Sequence, residues 1–308
     1  MRVSTILPLA FAAAPLASAA AGTLGFAVGA RMPSGACKTT ADYAADFSAL
    51  KPYTSIVRTY SAVDGAVPEN PCQVAEQILP AAAAAKIKVI LGVWPDTDDS
   101  YKTDKEALQK YIPANADSVY AVTVGSETLY RGNFTGPELL SRINDLKKAL
   151  PDIKIGTADS WNKYQDGTAD ALITGGVKLL LVNAFAYWQG QKITNATATY
   201  LDDLQQAIGH IQELSGSIDG IEIWNGETGW PADGGDDYGA AKAGTDNAKS
   251  FYKNGVCAAL DWGLNVFYFE AFDETWKPQS VGDSGSSADE RHWGAFTDQR
   301  AAKWSIGC

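Results

Sequence analysis

The segment Val119-Tyr120-Ala121-Val122-Thr123-Val124-Gly125-Ser126-Glu127 carries the first decision about the fold. Its β-branched run reads as a strand. Alternation places Ala121, Thr123, Gly125 and Glu127 on one side, with Val122 and Val124 on the other. A row of small residues suits the interior of a narrow barrel, and the larger apolar row suits a surrounding layer of helices. Glu127 then leaves the strand at its C-terminal rim. Ser126 points away from the interior by the same alternation, so it reaches inward only if the strand bulges.

Outward from this segment the pattern repeats. Further candidate strands are Thr23–Val28, Ser55–Ser61, Lys88–Trp94, Lys154–Ser160, Lys178–Trp188, Gly220–Trp230 and Asn265–Asp273. Helical spacing is found between several of them, over Pro71–Lys86, Pro137–Leu150, Tyr200–Leu214 and Thr245–Trp262, with Thr135 placed to cap the second. Eight strands alternating with helices predict a single (β/α)8 barrel. A doubly wound open sheet is disfavoured because no Gly-x-Gly-x-x-Gly follows the first strand. The connections after Glu127 and after Trp188 are short, so the barrel is expected to be compact, without a large inserted subdomain.

A barrel of this kind works at the C-terminal ends of its strands. Those ends carry Arg58-Thr59-Tyr60, Trp94, Ser126-Glu127, Asp159, Tyr187-Trp188, Gly226-Glu227-Thr228-Gly229-Trp230 and Glu270 to Lys277. On the seventh strand Ile221, Ile223, Asn225 and Glu227 share one parity, which is read as the interior one. Two glutamates therefore leave the barrel at the fourth and seventh strands. Facing carboxyls about 5–5.5 Å apart act as acid/base and nucleophile in a retaining glycosidase. Trp94, Trp188, Trp230 and Trp276 are placed to stack on sugar rings, with packing around the barrel mouth as the competing role.

The remaining features bound the setting. Arg2, an apolar centre to Leu16 and Ala17-Ser18-Ala19 read as a secretory leader over residues 1–20, leaving 21–308 as one catalytic domain. Cys37, Cys72, Cys257 and Cys308 allow three disulfide connectivities, and joining sequence neighbours closes the shorter loops. A formal net charge of −11 argues against nucleic acid as partner. No segment has the length and purity of a membrane span. Asn133 and Asn195 begin glycosylation sequons. Asp96, Asp98 and Asp99 form an acidic loop, but Tyr101 stands where a calcium loop needs glycine, so no metal is expected.

Gly226-Glu227-Thr228-Gly229-Trp230-Pro231, with Val124-Gly125-Ser126-Glu127 a hundred residues earlier, resembles glycoside hydrolase family 17. Phe269 to Lys277 is similar to that family's last-strand motif, and Arg58-Thr59-Tyr60-Ser61 to its second-strand motif. Within the family the likeness is to the fungal cell-wall branch of β-1,3-glucanases and glucanosyltransferases. The resemblance implies Glu127 as acid/base, Glu227 as nucleophile and no cofactor. It also implies substrate contacts at Tyr60, Tyr187, Glu274 and Lys277; Arg58, Ser126, Trp188, Trp230 and Trp276 join them as candidates from their places on the rim. Ser126 departs from the asparagine that plant members carry before the acid/base, a departure the fungal branch shares.

The expected protein is a monomeric, secreted, wall-resident enzyme taking a β-1,3-glucan donor and either a glucan or water as acceptor. The fungal likeness and the short rim loops favour transfer. Endo-hydrolysis is the alternative and a non-catalytic glucan-binding protein the remote one.

Overall fold

A computed structural model of the chain describes residues 21–233, 237–278, 280–281, 287–288 and 290–308. The leader expected over 1–20 lies outside the described residues. Eight parallel strands close a barrel in chain order, β1 pairing with both β2 and β8. They are β1 Leu24–Ala27, β2 Ile56–Arg58, β3 Lys88–Val93, β4 Val119–Ser126, β5 Ile155–Ser160, β6 Leu179–Asn183, β7 Glu222–Thr228 and β8 Asn265–Tyr268. Residues 280–281 and 287–288 form a separate antiparallel pair.

Several strands stop earlier than their apolar character suggests. β2 ends at Arg58, β6 at Asn183, β7 at Thr228 and β8 at Tyr268. The apolar residues beyond them belong to rim loops that pack on one another. Tyr187, for example, meets Trp188, Trp230 and Trp293 at centroid distances of 5.1, 5.0 and 5.3 Å. Burial without strand pairing looks the same as a strand in a one-dimensional pattern.

The helices enclose the barrel. Among the described residues α1 (Thr40–Leu50), α2 (Val74–Ala85), α3 (Asp98–Tyr111), α4 (Gly136–Ala149), α5 (Trp161–Gln165), α6 (Asp170–Thr174), α7 (Ile193–Ser215), α8 (Thr245–Phe251) and α9 (Cys257–Asp261) follow the alternation. Thr135 does cap α4, its N–H and Oγ1 both donating to the Glu138 carboxylate at 2.8 and 2.7 Å. Two expectations are corrected. Asp98 and Asp99 are not a loop but the first turn of α3, where negative charge meets the positive end of the helix dipole. The helix expected over Thr245–Trp262 is interrupted by a π turn at Tyr252–Val256, which lets Tyr252 Oη donate to the Ile306 carbonyl at 2.8 Å and dock the C-terminal tail.

The core has two parts. A large shell between barrel and helices holds Val57, Val122, Val124, Leu180 and Val182, while Ile56, Ile90, Ala121, Leu179, Leu181, Trp224 and Phe267 fill the barrel itself. Ala121 inside and Val122 and Val124 outside match the alternation read on the fourth strand. Both disulfides follow the neighbour pairing, Cys37–Cys72 and Cys257–Cys308, with Cα separations of 5.2 and 5.5 Å. Among the described residues no helix is long and apolar enough to cross a membrane.

Candidate active site

β4 and β7 both leave the barrel through a bulge. On β4 the pairing with β5 jumps between Thr123 and Ser126. Gly125 and Glu127 take left-handed backbone there, with φ of +84° and +56°. Glycine adopts this freely, whereas a glutamate in it carries about 1–3 kcal/mol of strain. The bulge meets the condition that alternation set for Ser126, whose Oγ lies 3.1 Å from both Arg58 Nη2 and Glu227 Oε1.

On β7 the sequence parity misleads. Ile221 and Ile223 pack in the outer shell while Trp224 fills the barrel interior. Asn225 follows the outward parity and accepts from Tyr200 Oη on α7 at 3.0 Å. Glu227 would face outward too, but pairing with β8 jumps between Asn225 and Thr228, and the bulge carries it inside. The Asn225 amide donates to the carbonyls of Val182 and Glu227 at 2.7 and 3.0 Å, satisfying groups that the disrupted ladder leaves open.

The two glutamates have different partners. Glu227 Oε1 accepts from Arg58 Nη1 at 2.9 Å, and the Arg58 side chain is wholly buried. The same nitrogen donates to the Gly226 carbonyl at 2.8 Å. Glu127 Oε1 accepts from the neutral amide of Asn183 at 3.1 Å. Burial, with the Glu227 charge adding to it, pushes the Glu127 carboxyl up to about 8, against smaller opposing effects of Asn183 and Arg58. Glu127 is thus the carboxyl that holds a proton at neutral pH, while Glu227 has a guanidinium as countercharge. Asn183 escaped the sequence reading because the sixth strand seemed to run on past it; the signal was a lone amide closing the apolar run Leu179–Val182.

Asp159, at the end of β5, orders the turn beyond Glu127 by accepting from the N–H groups of Leu129 and Tyr130 at 2.8 and 3.1 Å. Burial raises its carboxyl to about 6. On β8's extension, Lys277 is enclosed by Glu270 at 3.1 Å and Glu274 at 2.8 Å. Burial and the Glu274 charge push Glu270 well up; burial also opposes ionisation of Glu274, but Lys277 and Lys38 outweigh it and hold that carboxyl low.

Both rim glutamates open into one cleft of about 1020 Å³. Its walls include Tyr60, Trp94, Ser126, Arg131, Phe269, Glu274, Trp276 and Lys277. Tyr60 Oη, Trp276 Nε1 and Glu274 Oε1 are buried and meet no hydrogen-bond partner among the described residues. Other candidates fall elsewhere. Trp230 is fully buried and donates its indole N–H to the Lys242 carbonyl at 2.8 Å, so it packs the rim rather than offering a face. Tyr187 is 2% exposed in the same aromatic wall, and Trp188 has one face stacked on Trp293 at 5.1 Å. None of the three lines the cleft. Arg58 lies beneath it, reaching the site through Glu227 and Ser126. Asn133 and Asn195 are both exposed.

A family model described as the BtgE/BtgC glycoside hydrolase domain matches residues 25–294. A glucan 1,3-beta-glucosidase of Arthroderma benhamiae is 57% identical, over 100% of this chain and 98% of that protein. A glucan 1,3-beta-glucosidase of Saccharomyces cerevisiae is 41% identical, over 100% and 99%. Among solved structures, a glycoside hydrolase family 17 β-1,3-glucanosyltransferase from Rhizomucor miehei is 30% identical with a TM-score of 0.75, covering 92% of this chain and 96% of that one.

Proposed function

The chain belongs to the BtgE/BtgC glycoside hydrolase family, and from that membership we propose a retaining β-1,3-glucan glucanosyltransferase that elongates or branches wall glucan. The observation that carries this reading is the unequal pair at the cleft floor: Glu127 raised to about 8 beside Asn183, and Glu227 paired with Arg58. A carboxyl whose proton is held by burial, beside one paired with a cation, is the arrangement that double displacement uses.

In the first step a Glu227 oxygen attacks the anomeric carbon of the donor as the bond to the leaving oxygen breaks. Glu127 gives its proton to that oxygen. In the second step an acceptor hydroxyl attacks the same carbon, Glu127 takes the acceptor's proton, and the Glu227 carboxylate leaves. Configuration is inverted twice and so retained. Ser126 Oγ and Arg58 fix the attacking oxygen through their bonds to Oε1. Tyr60 and Trp276 supply polar atoms that meet donor hydroxyls, since each carries a buried group without a partner among the described residues of the cleft wall, and Glu274 adds a carboxylate beside them. Trp94 and Trp276 supply the ring faces.

The acceptor decides between two activities. Transfer is supported by the Rhizomucor miehei relative, a β-1,3-glucanosyltransferase. Hydrolysis by water is the second reading, supported by the glucosidase names of the two fungal relatives. Incubation with one pure β-1,3-gluco-oligosaccharide separates them: products longer than the substrate are expected, and shorter products alone would refute transfer. The reading places the protein outside the cell in the wall, exported by its leader and glycosylated at Asn133 and Asn195, working as a monomer.

A further inference from the structure

Arg131 stands outside every motif that pointed to the site. It lies four residues beyond Glu127, on the turn that Asp159 orders, and it closes that turn from the other side. Its backbone N–H donates to the Glu127 carbonyl at 2.8 Å. Its Nη2 donates to the Ser126 carbonyl at 3.1 Å. Arg131 therefore grips the peptide groups on both sides of Glu127, at the residue whose left-handed backbone stores strain.

The guanidinium is itself fixed. It forms a fork with Asp96, through Nη1 to Oδ2 and through Nη2 to Oδ1 at 3.1 Å. Its carbon sits 4.6 Å from the centre of the Trp94 ring. Trp94 in turn donates its backbone N–H to the buried carboxylate of Asp104 at 2.7 Å, and Asp104 also accepts from Ala62 and Val63 at 2.9 and 2.7 Å. A chain of contacts thus runs from α3, through the rims of β2 and β3, to the peptide bearing Glu127. Trp94, Asp96 and Arg131 all line the cleft.

We propose that Arg131 is a positioning residue for proton transfer: with Asp96 and Trp94 it holds the Glu127 carboxyl at the leaving oxygen. This rests on Glu127 being the acid/base. A lysine cannot replace it, because a single ammonium has no planar fork to share between Asp96 and the Ser126 carbonyl, nor a flat face for Trp94.

The test compares a donor whose leaving group needs an acid with one whose leaving group does not. One is a β-1,3-glucopentaose, whose leaving sugar hydroxyl must be protonated. The other is a dinitrophenyl β-1,3-glucobioside, whose leaving group departs without a proton. kcat/KM for each is measured with wild type, Glu127→Ala, Arg131→Met and Arg131→Lys. Both Arg131 variants should lose roughly 10- to 100-fold on the pentaose, the scale of a misplaced catalytic group, and about threefold or less on the dinitrophenyl donor. Because both donors are read on one preparation, partial misfolding cancels in the ratio. Equal losses on both donors, or no loss on either, would overturn the inference. If Glu127→Ala fails to separate the donors, the acid/base assignment itself falls. If Glu127→Ala separates them and Arg131→Met does not, only the role of Arg131 falls.

Discussion

Replacing Arg58 by methionine should destabilise the protein far more than it changes its shape, and the amount follows from three contacts. The Arg58 side chain is fully buried, and that of Glu227 is only 10% exposed. Removing the guanidinium strands a carboxylate in the barrel, along with the Gly226 carbonyl and Ser126 Oγ that it also serves. Breaking a buried ion pair by deleting one partner costs about 3–5 kcal/mol, a large share of the roughly 5–15 kcal/mol that holds a domain together. At about 2 °C per kcal/mol for a chain of this size, the melting temperature at pH 7 should fall by roughly 6–10 °C. The assay is thermal unfolding of four proteins: wild type, Arg58→Met, Glu227→Gln and the double variant. A glutamine at 227 needs no countercharge, so in that background the loss should shrink to about 1–2 kcal/mol, the cost of the hydrogen bonds alone. If Arg58→Met costs the same in both backgrounds, the guanidinium is not there to balance Glu227 and the reasoning fails.

Two further outcomes follow from the ionisable groups. Transfer needs Glu127 protonated, so kcat/KM should fall on the alkaline side with a midpoint near 8, tenfold per pH unit beyond it; Asn183→Ala removes an effect that lowers this carboxyl and should move the limb to higher pH. An alkaline limb in the ordinary glutamate range would contradict the burial argument. At the opposite end of the barrel, Glu222 accepts from Tyr120 Oη, Trp224 Nε1 and Lys154 Nζ. Burial alone would raise it, but these bonds outweigh burial and hold it below its ordinary value. A carboxyl depressed in the folded state stabilises above its unfolded value, about 4.3, and that contribution is lost as pH falls through the folded one. Glu222→Gln should therefore lower the melting temperature at pH 7 by the equivalent of about 1 kcal/mol, discounted for its partial exposure, and leave little difference near pH 2. An unchanged gap across that range would count against the assignment.

The parts of this molecule that were legible in its sequence share a physical property: they repeat or they are local. The β–α alternation repeats, Thr135 caps its own helix three residues from Glu138, and each disulfide joins the nearest cysteine. Two glutamates at strand ends could be picked out because glycines flank them. What could not be read was the route by which Glu227 enters the barrel. Alternation put it inside together with Ile221, Ile223 and Asn225, whereas those residues face the helices and a bulge brings Glu227 in alone. A bulge adds one residue to the count and reverses every parity beyond it. Trp230 misled for a related reason: an indole at a rim reads as a sugar platform, and only the fold shows its N–H spent on Lys242. Asn183 and Arg131 carry no motif at all, since their meaning comes from partners 56 residues away and on a neighbouring rim.

The asymmetry between the two carboxyls traces to a position with no side chain. A Cβ on Gly226 would stand 2.5 Å from Asn183 Oδ1, 2.8 Å from Leu181 Cβ and 3.3 Å from Arg58 Nη1. Contacts under 3.0 Å are not tolerated by real Cβ atoms, so something there would have to move. Three groups crowd that point: Leu181, Asn183, whose amide meets Glu127, and, less closely, Arg58, whose guanidinium meets Glu227. A side chain at 226 would press first on Asn183 and Leu181 and then on Arg58. Glycine at 226 is therefore required by space and not by backbone freedom. It leaves room for the Asn183 amide that meets Glu127 and for the Arg58 guanidinium that meets Glu227.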